Sequence, residues 1–226
     1  LTILLAVKNR IRLSGQNNKF FTMRILISPS IREFYKDQIE YNIDIKLIDF
    51  LNFTFGKKIE INFYPNYKKT NYDLIILCGG NDIPPYSKSK SDIIRNSLTN
   101  KIYNHAMKNK IPIFGICYGA QYIGFKNDFV FQKKKIVKNH TVYLKNNNRF
   151  GKKKFLVNSF KNIIIEKTSK NFIDIYVAKD NSTECFINIK KKLMGVNWHP
   201  ERYKRFKSID KLILKKFYDS SNIVRR

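Results

Sequence analysis

A short and wholly apolar run, Ile111 to Ile116, ends on Gly115-Ile116-Cys117-Tyr118-Gly119. Such a run is too brief for a helix and reads as a fully buried strand; the glycine beyond its end marks a tight exit. A cysteine between an apolar strand and a glycine falls on a strand-to-helix turn. Its sulfur projects there, and the N-terminus of the following helix favours the thiolate. That is the geometry of a nucleophile elbow, and it constrains the chain to place helices against a parallel sheet.

The segments upstream repeat the theme. Arg24 to Ser28 reads as a buried strand that stops at Pro29, and Lys58 to Tyr64 reads as another. Leu74 to Leu77 is an apolar run that stops just before Gly79-Gly80, as a central parallel strand entering a loop would. Between them, Ile43, Leu47, Ile48, Leu51 and Phe55 at helical spacing predict a helix over Gln38 to Phe55, and Ile93 to Asn109 predicts a second. The alternation implies an α/β fold with an open, mostly parallel sheet and helices on both faces. Active sites in such sheets lie beyond the carboxyl ends of the strands.

After the helix that follows Cys117 the pattern changes. Phe129 to Lys135, Thr141 to Leu144, Lys154 to Val157, Ile173 to Ala178, Glu184 to Ile189 and Lys192 to Asn197 read as short strands between Asn-, Lys- and Gly-rich turns. This half is expected to be mixed or antiparallel. Lys207 to Tyr218 reads as an amphipathic closing helix and Asp219 to Arg226 as a frayed tail. Residues 1–22 read as a disordered or upstream extension and 23–226 as one domain.

A charge of +27, from 44 Lys+Arg against 17 Asp+Glu, raises the question of a polyanionic partner. The lysines are spread along the chain among abundant Asn and Ile, which weighs against a dedicated nucleic-acid surface. A basic mouth would still draw an anionic small molecule. No apolar run approaches the length needed to cross a bilayer. Three cysteines, Cys78, Cys117 and Cys185, have no short metal spacing and suit a reducing, cytoplasmic setting.

Trp198-His199-Pro200-Glu201 follows a second apolar strand about eighty residues after the cysteine. If the two strands are parallel neighbours, His199 shares the sheet edge with Cys117, and Glu201 accepts the other imidazole hydrogen. That is the nucleophile, base and orienting acid of a catalytic triad. At Gly79-Gly80 a backbone without side chains could point an N–H at a developing oxyanion, paired with the N–H of Tyr118; Gly80 is preferred over Gly79. The chemistry these groups support is hydrolysis of an amide through a thioester, with no metal or organic cofactor.

Gly79-Gly80-Asn81-Asp82, Gly115-Ile116-Cys117-Tyr118-Gly119-Ala120-Gln121, Val157-Asn158-Ser159-Phe160 and Trp198-His199-Pro200-Glu201, in that order, resemble the class I glutamine amidotransferases. More narrowly they are similar to the γ-glutamyl hydrolase branch, which includes γ-glutamyl-γ-aminobutyrate hydrolases. The resemblance implies a flavodoxin-like sheet and assigns Cys117 as nucleophile, His199 as base and Glu201 as its partner. It also implies that Gln121 helps to hold the glutamyl group, and Asn158 and Ser159 are expected among the residues that bind substrate. Asn158-Ser159, Ala178-Lys179-Asp180 and His199-Pro200-Glu201-Arg202 are similar to γ-glutamyl-CDP-amidate hydrolases, which act in capsule or surface-polysaccharide synthesis.

The departures bear on substrate. Tyr118 stands where the branch usually has Arg, and Lys161 where a histidine commonly follows Asn-Ser-aromatic. The Arg-Asp-x-x-Glu of the preceding helix becomes Arg95-Asn96 with Thr99. The expected partner is a small γ-glutamyl substrate, with a nucleotide-linked amine and a homodimer left open. The competing readings are a glutaminase subunit that delivers ammonia to a synthase, and a non-catalytic basic binding protein on this fold.

Overall fold

The computed structural model describes residues 22–35, 38–56, 59–63, 72–145 and 150–223. The reading of the first residues as an extension lies outside the described residues, as does the end of the tail. The first strand, β1 (Met23–Ser28), leads through Pro29 into a hairpin of β2 (Ser30–Tyr35) and β3 (Gln38–Asn42), and then α1 (Ile45–Phe55). The hairpin corrects the expectation of one helix over Gln38 to Phe55. Ile39, Tyr41 and Ile43 alternate with Gln38, Glu40 and Asn42, which is strand periodicity. The helix cannot begin before Asp44, whose carboxylate accepts a hydrogen bond from Lys46 N–H at 3.0 Å as N-cap.

There follow β4 (Ile59–Phe63), β5 (Leu74–Leu77), α2 (Lys90–Lys108), β6 (Ile113–Ile116) and α3 (Tyr118–Phe125). Ser89 and Asp92 start α2 with a reciprocal capping box. The later strands are β7 (Val130–Val137), β8 (His140–Leu144), β9 (Lys154–Val157), β10 (Phe160–Lys167), β11 (Ile173–Val177), β12 (Thr183–Asn188) and β13 (Leu193–Val196), closed by α4 (Ser208–Ile223). Helix α4 runs past Tyr218 into the segment that reads as a frayed tail. Strand β10 is additional to the strands expected from the sequence, because Phe160-Lys161-Asn162 interrupts its apolar run.

The large sheet runs β4-β1-β5-β6-β13-β12-β11-β8-β9, with β10 pairing β12 and β7. Strands β4, β1, β5, β6 and β13 are mutually parallel and the others pair antiparallel. The fold is thus α/β, with a parallel half carrying the helices and an antiparallel extension. Strand periodicity divides the core into two faces. Ile25, Ile27, Leu74, Ile76, Phe114 and Val196 pack with Leu47, Phe50, Leu51, Ile213 and Phe217 of α1 and α4. Leu26, Ile75, Leu77 and Ile113 pack with Leu98, Ile102, Tyr122 and Ile123 of α2 and α3. No helix among the described residues is long and apolar enough to cross a membrane.

Candidate functional site

Strand β13 returns from the antiparallel half to lie parallel beside β6, with Gly195 opposite Gly115 and Val196 opposite Ile116. Cys117 N–H donates to Val196 C=O at 2.8 Å. This register puts both chain exits, Cys117 and Asn197-Trp198-His199, at one carboxyl edge of the sheet. At the exit Cys117 has φ 50° and ψ −103°. A left-handed φ is costly for a residue with a Cβ and persists only where packing enforces it. Gly119 supplies part of that enforcement: a Cβ there would lie 2.0 Å from Leu77 C=O, so no other residue lets α3 start so close to β5. The sharp turn that the sequence placed at Cys117 is present.

His199 and Glu201 are buried, at 1% and 4% exposure. His199 Nδ1 and Glu201 Oε1 are 2.7 Å apart. Burial works against a charged imidazole, but the charge and hydrogen bond of Cys117, with those of Glu201, outweigh it and raise His199 to about 9. The imidazole is therefore held between sulfur and carboxylate. The Cys117 thiol also lies 3.8 Å from Phe160 C=O. Gly79 completes the packing, since a Cβ on it would meet His199 Cε1 at 2.5 Å and Cys117 Cβ at 3.5 Å. Only a bare backbone fits between the two.

A cavity of about 230 Å³ opens over Cys117, lined by Gly80, Asp82, Gln121, Phe160, Lys161 and others. Gly80 (φ 92°) and Asn81 (φ 68°) form a left-handed kink in its rim. Asn81 holds the kink in place: its Oδ1 accepts from Ile31 N–H at 2.9 Å and its Nδ2 donates to Ile31 C=O at 3.0 Å. Asp92 fixes the other end by accepting from Asp82 N–H at 3.0 Å. Burial opposes ionisation of Asp92, yet its hydrogen bonds hold the carboxyl below the usual range. Burial and the Asp92 charge push Asp82 up.

Sequence-predicted residues divide between the cavity and its supports. Gly80 and Gln121 line it; Gly79 lines its neighbour. Gln121 Nε2 donates to Ile163 C=O at 3.1 Å and to Asn197 Oδ1 at 3.2 Å, which fixes its amide. Asn158 braces the histidine instead of lining the cavity: its Nδ2 donates to His199 C=O at 2.9 Å and its Oδ1 accepts from His199 N–H at 2.8 Å. Ser159 is fully buried, its hydroxyl 3.2 Å from His140 Nδ1. The side chain of Tyr118 turns into the core under Arg95, and its hydroxyl donates to Asn96 Oδ1 at 2.8 Å and lies 3.1 Å from the Thr99 hydroxyl. Two departures from the family pattern, Tyr118 and the altered helix motif, thus meet in one cluster, with Asn96 and Thr99 at the hydroxyl and the Arg95 guanidinium over the ring.

Sequence reasoning missed the partners of Lys161. Its ammonium has no exposure, sits 2.5 Å from buried Glu184 and donates to Asn197 C=O at 3.3 Å. His140 Nε2 lies 3.3 Å from the same Glu184 oxygen. A lysine in so basic a chain reads as surface, and only Lys161's place in the Asn-Ser-aromatic motif could have signalled otherwise.

Residues 34–219 match the family described as glutamine amidotransferase class-I, and the chain belongs to that family. It is 33% identical over 171 residues to the γ-glutamyl-CDP-amidate hydrolase of Campylobacter jejuni, covering 75% of this chain and 80% of that protein. That relative sets the chain on the hydrolase branch, among enzymes that cleave an amide. Two solved structures share the fold at 14% identity. A glutamine amidotransferase from Thermotoga maritima superposes with a TM-score of 0.61, over 91% of this chain and 86% of that one. A Thermoplasma acidophilum protein provisionally described as a GMP synthase subunit gives 0.68, over 91% and 96%.

Proposed function

We propose that this enzyme hydrolyses a γ-glutamyl amide through a thioester on Cys117. The observation that carries the reading is the buried His199, held between the Cys117 sulfur and the Glu201 carboxylate at the rim of a cavity lined by Gln121. The glutamyl group occupies that cavity, where the Asp82 carboxylate suits the ammonium of an amino acid end, while Lys161 lines it with its own ammonium turned away to Glu184.

The Cys117 thiolate attacks the γ-carbonyl carbon, and the oxyanion is met by the N–H of Gly80 and that of Tyr118. Tyr118 is the first residue of α3, where an N–H has no intrahelical acceptor. The tetrahedral intermediate collapses with cleavage of the C–N bond. His199 gives its proton to the departing nitrogen, while carbon stays bound to sulfur. Water then attacks the thioester, the imidazole takes the water proton, and glutamate leaves as the thiolate is restored. The likeness to the Campylobacter jejuni enzyme favours a nucleotide-linked amine as the leaving group.

The test is glutamate release by the isolated chain from a panel of γ-glutamyl amides, with Cys117→Ala alongside and a rapid acid quench for mass spectrometry. A glutamyl adduct on the Cys117 peptide and loss of turnover in Cys117→Ala are expected. Full hydrolysis by Cys117→Ala would refute the mechanism, and turnover of free glutamine alone, rising with a synthase partner, would point to a glutaminase that serves that synthase.

A further inference from the structure

A second cavity, of about 310 Å³, borders the first, and Gly80 and Asn81 line both. It is bounded by Cys78 and Gly79 at the end of β5, by Arg32 on the β2–β3 hairpin, and by Glu201 and Arg202 in the turn after His199. Most of its polar side chains are already engaged. Ser30 donates to Asn42 C=O, Asn81 is bound to Ile31, Asp44 caps α1 and Glu201 is bonded to His199. The arginines differ. Among the described residues the Arg32 side chain has no hydrogen bond or ion pair, although Glu40 stands opposite it on β3, and Arg202 has only its Nε, 3.6 Å from Glu201, with its Cζ near the Phe160 ring.

We propose that this second cavity receives the leaving amine of the γ-glutamyl amide and that Arg32 and Arg202 there bind a phosphoryl or pyrophosphoryl group carried by that amine. The inference rests on the reading that Cys117 is acylated from the neighbouring cavity. An amide with its carbonyl at Cys117 and its glutamyl end toward Gln121 must direct its nitrogen to His199, which protonates it. His199 Cε1 lies against Gly79, and Gly79 forms part of the second cavity. The leaving side is thereby directed toward the Gly79 end of the second cavity, which Arg32 and Arg202 also line. A guanidinium presents a planar fork that matches two phosphate oxygens, whereas a neutral amine would leave both arginines unanswered. The carboxylates in the same wall, Asp44 and Glu201, are compensated by the Lys46 N–H and by His199.

Isothermal titration calorimetry of the full chain with inorganic pyrophosphate, CDP and ADP tests the proposal without requiring turnover. The variants are Arg32→Glu, Arg32→Ala and Lys215→Glu, the last an exposed position on α4 with the same charge change. Saturable binding is expected, weakened roughly tenfold or more by Arg32→Glu and less by Arg32→Ala, with little change in Lys215→Glu. Nucleotides binding more tightly than pyrophosphate would add contacts to the nucleoside; equal affinities would make the phosphates the recognised part. Equal losses in Arg32→Glu and Lys215→Glu, or no saturable binding of any of the three, would overturn the proposal. Hydrolysis surviving in Cys117→Ala would instead remove the acyl-enzyme reading and leave the anion site standing.

Discussion

Replacing Glu201 by Gln keeps the shape of the site and removes one charge from it. In the wild-type protein the imidazole of His199 is held at about 9, with Glu201 Oε1 2.7 Å from Nδ1 and both side chains buried. A hydrogen bond to a charged partner contributes about 1.5–3 kcal/mol against about 1 kcal/mol for a neutral one, so the amide forfeits about 1–2 kcal/mol of imidazolium stabilisation. At 1.36 kcal/mol per unit that lowers His199 by about one unit or slightly more, to roughly 8. In a thiolate–imidazolium pair the basic limb of kcat/KM follows the imidazolium proton. The limb should therefore move from about pH 9 to about pH 8 in Glu201→Gln, with the plateau falling roughly tenfold or more. The assay is kcat/KM for γ-glutamyl-4-nitroanilide across that range, with Cys117 alkylation by iodoacetate, whose carboxylate is drawn by the imidazolium, as a substrate-free readout. A basic limb that stays at about pH 9 in both measurements would refute the assigned coupling of Glu201 to His199.

Two further outcomes concern stability. Asp210 accepts from Trp198 Nε1 at 2.9 Å, but burial dominates and lifts its carboxyl to about 7. The native state thus keeps a proton that the unfolded chain releases near pH 4, so stability should fall by up to about 4 kcal/mol as pH rises from about 4 to about 7. Asp210→Asn keeps an acceptor for Trp198 and should flatten that dependence; equal slopes for both proteins in thermal melts would contradict it. Lys161→Met leaves Glu184 charged and buried without its 2.5 Å partner, an expected loss of about 3–5 kcal/mol in urea unfolding. Adding Glu184→Gln should recover part of it, and a double variant as unstable as the single would show that the pair is not the cause.

The positions of Cys117, His199 and Glu201 were legible because each stands where an apolar strand ends, and strand ends share an edge in a parallel sheet. The β2–β3 hairpin was not, since Ile39 and Ile43 satisfy helical as well as alternating spacing when Leu47 and Leu51 continue the series. Asn158 could be seen in a motif, but its use as a brace depends on a contact with His199 across 41 residues of chain. Tyr118 reads as a residue beside a nucleophile; that its ring faces away, toward Asn96 and Thr99, follows from the helical start that its own backbone makes. Lys161 and Glu184 lie outside what composition can reveal, because burial of a charged pair depends on tertiary geometry.

The two bonds between Asn81 and Ile31 join segments 50 residues apart. Consecutive left-handed residues at Gly80 and Asn81 are costly on their own, and docking of β2 supplies the bonds that hold them. On the proposed mechanism, a chain in which β2 is not docked would attack an amide without the Gly80 donor that these bonds hold in place.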